Sequence, residues 1–554
     1  MRRNGRSTRV GAAAACLALL ATACGGSDGD SGSAGSVQEG AATVEGRPGG
    51  VFRVPITEPK AIDPYNARES DGTHVTKRLF VGLVTYDGNA ELKMRPGVAE
   101  RWASNDDCTR WTFNLRRSTF SNGEDVDAQS FIRGWTRTAV GTAASQVAYH
   151  MAGVQGFADL HADPPKTTVF SGLSAPDPRT LAVQLAEADC QFDVKTLVSA
   201  MSPVPSTAGA ADNQTFNEAP IGNGPFMIKP GTKWEHNQGI SLVRNDSYFG
   251  TKPNLDGVEF RIFAGQGGLE ARYRAFTAGE VDFAPVPPTL FEQAEAAYKP
   301  QGSFLKAERF GINYILVNTA KAPMDNADAR KAVSMAIDRD AINKGVYQGS
   351  LTSATAIVPP PAGEFHHPEA CGGFCTYDPA RAKELAVRGG LTPRTRVKLS
   401  YNIDGGNEPL VQAWKDQLER NLGVVVELDG GPFGEQLQKW SRGDFDIARS
   451  AWGSDYPTAD SFLYPLLHSG ADDNLGNYEN AEFDALLLKG RTQKSEVDRV
   501  ATMKQAEKLA VGQDMAAIPT FYRTQYRVFD SKKWTGVGLD FFEHATVETI
   551  SLRA

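Results

Sequence analysis

Residues 398–456 read KLSYNIDGGNEPLVQAWKDQLERNLGVVVELDGGPFGEQLQKWSRGDFDIARSAWGSDY. Lys398 to Tyr401 predicts a strand, Pro409 to Leu422 a helix with Val411, Trp414, Leu418 and Leu422 on one face, and Val424 to Leu428 a buried strand. Leu437 and Trp440 share a short helix, and Asp446 to Ser450 returns as a strand. Strand, helix, strand, helix, strand at this pitch is an α/β layer with a largely parallel sheet. Such sheets bind ligands in the crevice outside the strand C-termini, and Trp452, Asp455 and Tyr456 fall just past the last strand.

Outward from this stretch, Asp328 to Lys344 predicts one helix with Ala332, Val333, Ala336, Ile337 and Ala341 as its apolar stripe. Its Arg330, Lys331, Asp338, Arg339 and Asp340 are expected mostly outward, as a solvated face. Nearer the start, Val51 to Ile56 alternates like a strand that Pro59 and Pro64 bring to an end, and a helix is expected over about 73–82. The chain has 554 residues, 41% hydrophobic and 22% charged, which suits a globular body of two or three domains. A net charge of -8 argues against a nucleic-acid partner. No G-x-x-x-x-G-K-[ST] phosphate loop and no H-E-x-x-H zinc helix occurs.

The first residues specify location. Arg2, Arg3, Arg6 and Arg9 precede an apolar run from Val10 to Leu20, and Ala21-Thr22-Ala23 leads into Cys24. That order is a signal peptide over 1–23, too short to span a bilayer, which takes about 20 apolar residues. It resembles a bacterial lipobox, in which the cysteine is diacylated and becomes the new N-terminus; Ala21 stands where leucine is usual. Residues 24–47 are Gly/Ser/acidic without an aromatic side chain and read as a tether, with a flexible reach of roughly 25 to 30 Å. The G-x-S-x-G at Gly25 to Gly29 lies in that tether, with no strand before it or helix after it, and is a chance match.

Four cysteines then remain, Cys108, Cys190, Cys371 and Cys375, an even number for an oxidising compartment. Three pairings are open. The favoured one joins Cys371 to Cys375 and Cys108 to Cys190, the latter two each beside an expected strand, Trp111 to Leu115 and Thr180 to Leu185. The competing use, a metal held by His366, His367, Cys371 and Cys375, is disfavoured because the spacing is not that of a zinc knuckle. No metal and no cofactor is expected.

Over essentially the whole folded body the chain resembles the family 5 extracellular solute-binding proteins, the peptide-binding lipoproteins of ABC importers. The resemblance is carried by FRVPITEP at 52–59 with Ile62-Asp63-Pro64, LFVGLVTYD at 79–87, PGVAERW at 96–102, WTFNLR at 111–116, PIGNGPF at 220–226 and RNDSYF at 244–249. ARKAV at 329–333 with AIDR at 336–339, Tyr377-Asp378-Pro379 with Ala382-Lys383, and NYEN at 477–480 with Phe483-Asp484 complete it. It implies an α/β, two-lobed fold of the periplasmic-binding type II kind with an extra domain inserted in lobe 1. Lobe 1 would comprise 48–80, 205–306 and 521–554, the insertion 81–204, and lobe 2 307–520. The hinge would lie where the chain crosses near Phe310 to Tyr314 and near Ile518 to Tyr522.

It also implies the site. Ser450 to Pro457, SAWGSDYP, resembles the W-x-x-D-Y stretch of oligopeptide-binding members, whose aspartate pairs with the peptide's α-ammonium. Carried over, Asp455 is the anchor. Thr458-Ala459-Asp460 departs from the more usual acidic-Pro pair. Asn313-Tyr314-Ile315 and Ala451-Trp452-Gly453 are expected as backbone rails for an extended ligand, and Trp452, Tyr456 and Phe226 as pocket walls. The implied partners are a peptide, an ABC permease with its ATPase subunits, and the membrane through the lipid, with the protein acting as a monomer on the outer face of the cell membrane. The alternatives are uptake of a sugar, a nickel chelate or haem on the same fold, an extracellular peptide hydrolase built on a split Ser/His/Asp set, and a signalling or adhesion role for the same cleft.

Overall fold

The computed structural model describes residues 46–86, 94–263, 268–403, 406–540 and 542–554. The expected signal peptide, Cys24 and all but the last two residues of the expected tether lie outside the described residues. Strand β1 (Val51–Ile56) buries Phe52, Val54 and Ile56 on its inward face. Helix α1 spans Ser70–Leu79 and not 73–82, for a steric reason. Its last carbonyl, that of Leu79, accepts from the Gly224 amide at 2.8 Å, and the chain beyond it is extended at Phe80.

The next segment builds an antiparallel sheet from β2 (Ala99–Ser104), β3 (Arg110–Leu115), β4 (Leu173–Asp177) and β5 (Thr180–Gln184), in spatial order β2-β3-β5-β4. Helix α2 (Ala128–Ala139) packs on it through fully buried Phe131 and Trp135, its first turn closed by an Asp127–Ser130 capping box. Cys108 is bonded to Cys190 within this segment, and Cys371 to Cys375 further on. Strands β6 (Phe226–Ile228), β7 (Gly239–Arg244) and β8 (Gly257–Ile262) then form a second sheet with β1, ordered β1-β8-β7-β6 and parallel between β1 and β8.

The large mixed sheet begins with β9 (Phe283–Pro285) and the 14-residue β10 (Phe304–Val317). The helix expected over 328–344 is two, α3 (Ala327–Met335) and α4 (Arg339–Tyr347). The first closes at Ala336, and Asp338 caps the second, its carboxylate accepting from the Ala341 amide at 2.9 Å. Arg330 and Arg339, expected outward, are buried. The Arg339 guanidinium donates to carbonyls of Ser334, Ile337, Cys375 and Pro519, and that of Arg330 to carbonyls of Met324 and Asp514. Chain turns with surplus carbonyls make these cages, and five donors on a rigid fork satisfy them.

Then come β11 (Arg396–Asn402), α5 (Glu408–Leu422), β12 (Val425–Gly431), α6 (Phe433–Ser441), β13 (Ile447–Gly453), α7 (Asp460–Leu467), α8 (Ala481–Thr492) and the 13-residue β14 (Ala517–Phe529). The order is β9-β14-β10-β13-β11-β12. Strands β12, β11 and β13 are parallel, as the βαβ pattern requires. The rest is antiparallel, so the sheet is mixed where a largely parallel one was expected. β12, expected to be buried, is its edge and leaves Val425 and Leu428 exposed. Apolar residues gather into a core around Phe52, Phe226 and Phe260, another around Phe113 and Trp135, and one on each face of the large sheet, around Phe462 and around Trp414. No helix among the described residues is long and apolar enough to cross a membrane.

Candidate functional site

The site is organised by one strand end. β13 pairs with β11 only at Ile447 and Ala448, while its other side stays paired with β10 as far as Gly453. Residues 449–453 therefore run past β11 with that edge unpaired among the described strands. An open edge beside a crevice is the place where an extended chain can add as a further strand. Ala451 and Trp452 are half-buried there and Gly453 is exposed. The Trp452 indole N–H donates to the Ser461 carbonyl at 2.7 Å, which fixes the ring against the core.

The other expected rail is not available. Asn313 stands between Ala451 of β13 and Phe521 of β14, Tyr314 between Ser450 and Pro519, and the Asn313 carbonyl also accepts from the Thr520 hydroxyl at 2.7 Å. A strand paired on both sides has no edge to offer. The Tyr314 side chain is buried in the core, which pushes its hydroxyl up to about 12. The Asn313 side chain instead accepts from Arg449 Nη2 at 3.0 Å. Phe226, expected in a pocket wall, is 0% exposed in the core with Phe52 and Phe260, because β6 turns it inward.

Asp455 follows the open edge by two residues. Its Oδ2 accepts from the Tyr149 hydroxyl at 2.8 Å, across 306 residues of chain, and no cation reaches it within ion-pair distance among the described residues. Burial, and then the Asp455 charge, raises the Tyr149 hydroxyl well above its ordinary range. The loop after Asp455 is held at Tyr456, whose hydroxyl donates to Asp460 at 3.3 Å and whose amide donates to Ser454 Oγ. Asp460, the first residue of α7, is fully buried and bound by Arg491 at 2.6 Å and by Lys195 Nζ at 3.3 Å. Those two cations outweigh the burial that opposes charge and hold its carboxyl well below the usual range. Tyr149 and Lys195 both come from the 81–204 segment, so the loop bearing Asp455 is gripped from two parts of the chain. Tyr149 lies in a single 3-10 turn over Ala148–Met151 that no sequence motif marks, and its ring is half exposed.

A Ser/His/Asp grouping occurs elsewhere. Ser70 Oγ lies 3.1 Å from His544 Nε2, but His544 Nδ1 is 3.5 Å from Asp540 Oδ2, beyond a hydrogen bond, and Asp540 is ion-paired to Arg78 at 3.0 Å. The His74 ring stacks on His544 at 4.2 Å. The second link of this grouping is long, and Arg78 competes for Asp540.

An α/β fold with long paired strands, an open strand edge, and beside it a carboxylate that meets one hydroxyl and no cation among the described residues suits a ligand-binding protein. The chain belongs to the bacterial extracellular solute-binding proteins, family 5, whose sequence model matches residues 93–474. It is 28% identical over 550 residues to the oligopeptide-binding protein OppA of Bacillus subtilis, covering 95% of this chain and 97% of that one. Against the periplasmic oligopeptide-binding protein OppA of Escherichia coli it is 28% identical, covering 87% and 88%. Among solved structures, the unliganded open form of the periplasmic murein tripeptide-binding protein MppA superimposes with a TM-score of 0.78 at 26% identity, covering 92% of this chain and 98% of that one.

Proposed function

We propose that this protein captures extracellular oligopeptides between two lobes and delivers them to a membrane permease and its ATPase subunits. The observation that carries the reading is Asp455, a carboxylate partnered by one neutral hydroxyl at the end of an open strand edge. A ligand's α-ammonium on Asp455 would place its following amides along 449–453, where backbone pairing gives affinity without reading side chains. Relatives named for oligopeptide, dipeptide and murein-peptide binding support the peptide as ligand. Calorimetry with trialanine and with N-acetyl-trialanine tests it. Removing one partner of an enclosed charge pair costs about 2–5 kcal/mol, so Asp455→Ala and the acetylated peptide should each weaken binding by about thirtyfold or more. Equal affinity for both peptides would overturn the anchor.

Lobe 1 in this reading comprises 48–80, 205–306 and 521–554, with 81–204 inserted and 307–520 as lobe 2. The division of the apolar cores supports these limits except at the last crossing, where Phe521 and Tyr522 pack with the residues of lobe 2. The lobes hinge where β10 and β14 run side by side, and the register break between Glu308 and Ile312 of β10 gives the pair a place to bend. Acylation of Cys24 and the tether would hold the trap on the outer face of the cell membrane, as a monomer within reach of its permease. A Cys24→Ala protein should leave the membrane fraction; its retention there would remove the anchor from the proposal.

A further inference from the structure

Arg523 of β14 stands opposite the register break at Arg309, Phe310 and Gly311 of β10. Its side chain lies across Gly311 towards Gly453, which faces Gly311 on β13. A Cβ at Gly311 would stand 2.9 Å from Arg523 Cδ, and one at Gly453 would stand 3.8 Å from Arg523 Nη1. At Gly311 a side chain would crowd that path, and the path brings the guanidinium to Gly453, the last residue of the open edge.

The charge around it is not balanced. Arg309 and Arg527 are both ion-paired to Glu543, and Arg449 donates to the Asn313 side-chain oxygen while its Nε finds no acceptor. Arg523 itself has no hydrogen-bond acceptor and no ion-pair partner among the described residues. Burial and the neighbouring Arg309 and Arg449 pull its pKa down, against Glu543. A half-buried cation without a partner, beside an open strand edge, is suited to bind an anion.

We propose that Arg523 receives a carboxylate of the bound ligand on the sheet face where Gly311 and Gly453 oppose each other. The assignment rests on the peptide reading above. With an ammonium on Asp455, the first ligand residues lie over Gly453, so the carboxylate belongs to an acidic side chain near the ligand's N-terminus or to the C-terminus of a very short ligand. Both offer the planar, two-oxygen acceptor that a guanidinium fork fits.

The test is calorimetry on the purified protein with Glu-Ala-Ala, Ala-Glu-Ala, their glutamine counterparts, trialanine and trialanine amide. Wild type should bind a glutamate peptide about tenfold or more tighter than its glutamine counterpart if the side chain is the source, or trialanine tighter than its amide by the same factor if the C-terminus is. Arg523→Gln should cut that preference to about twofold or less while leaving the glutamine peptides within about threefold, and Arg523→Lys should restore part of it. The unliganded Arg523→Gln protein should melt no lower than wild type, since it loses an unpaired, half-buried charge and no hydrogen bond or ion pair. A preference missing from wild type, or undiminished in Arg523→Gln, overturns the assignment while glutamine-peptide binding leaves the peptide reading standing. If wild type binds none of the peptides, that reading falls and this assignment with it.

Discussion

Asp455 and Glu507 are two carboxylates with opposite fates. Asp455 is half-buried, next to a hydroxyl and open to a ligand, whereas Glu507 is fully buried and its Oε1 accepts from the amides of Ile357 and Val358, both at 2.8 Å. Burial outweighs those two amides and pushes the Glu507 carboxyl up to about 8. The unfolded chain ionises this group near pH 4.5, while the folded one keeps its proton until about 8. Its stability contribution is full below 4.5 and is lost as pH rises through that window, by up to ~1.4 kcal/mol per pH unit. Glu507→Gln keeps the acceptor and removes the titration. Thermal melts should show the variant and wild type matching near pH 4.5 and the variant increasingly the more stable towards pH 8; parallel melting curves across that range would contradict it. The residues that sequence reading placed as an outward charged face divide in the same way, since Asp340 is exposed but Arg330 and Arg339 serve carbonyl cages. Charge alone did not tell them apart, because part of each cage, the carbonyls of Asp514, Cys375 and Pro519, lies far along the chain.

At the scale of elements, α5 was legible because its apolar residues repeat on one helical face, and Val411, Trp414, Leu418 and Leu422 are all buried there. The end of α1 was not legible, because it is set from outside. A Cβ at Gly222 would lie 1.8 Å from the Leu79 carbonyl oxygen. Gly222 thus lets a remote loop close over the last turn of the helix and redirect the chain at Phe80. Gly222→Ala should lower stability by about 3 kcal/mol, the cost of forcing backbone apart in a packed region, read as a fall in denaturant midpoint. An unchanged midpoint would mean that the loop has room to shift. The rails show the same dependence on neighbours: 451–453 and 313–315 were both expected to offer backbone, yet sheet order leaves one with an open edge and encloses the other.

Across the whole molecule, Lys195 ties the 81–204 segment to the loop that carries Asp455. It sits 2.6 Å from Asp189 and 3.3 Å from Asp460, and the Cys190 amide next to Asp189 donates to the Arg491 carbonyl at 2.8 Å. Lys195→Met should favour a more open protein, seen as a larger radius of gyration by solution scattering without ligand, and should weaken ligand binding by about tenfold or less, since Arg491 still holds Asp460. A radius and affinity equal to those of wild type would show that Lys195 closes nothing. By itself the sequence determined the α/β class and the strand that ends at Gly453, two residues before Asp455, because hydrophobic periodicity is written within a few residues. The tertiary structure alone decided which strand edge is open, that Tyr149 meets Asp455, and that Arg523 reaches Gly453. Those contacts join residues far apart in the chain, and sheet order, not local preference, sets which of them come within bonding distance.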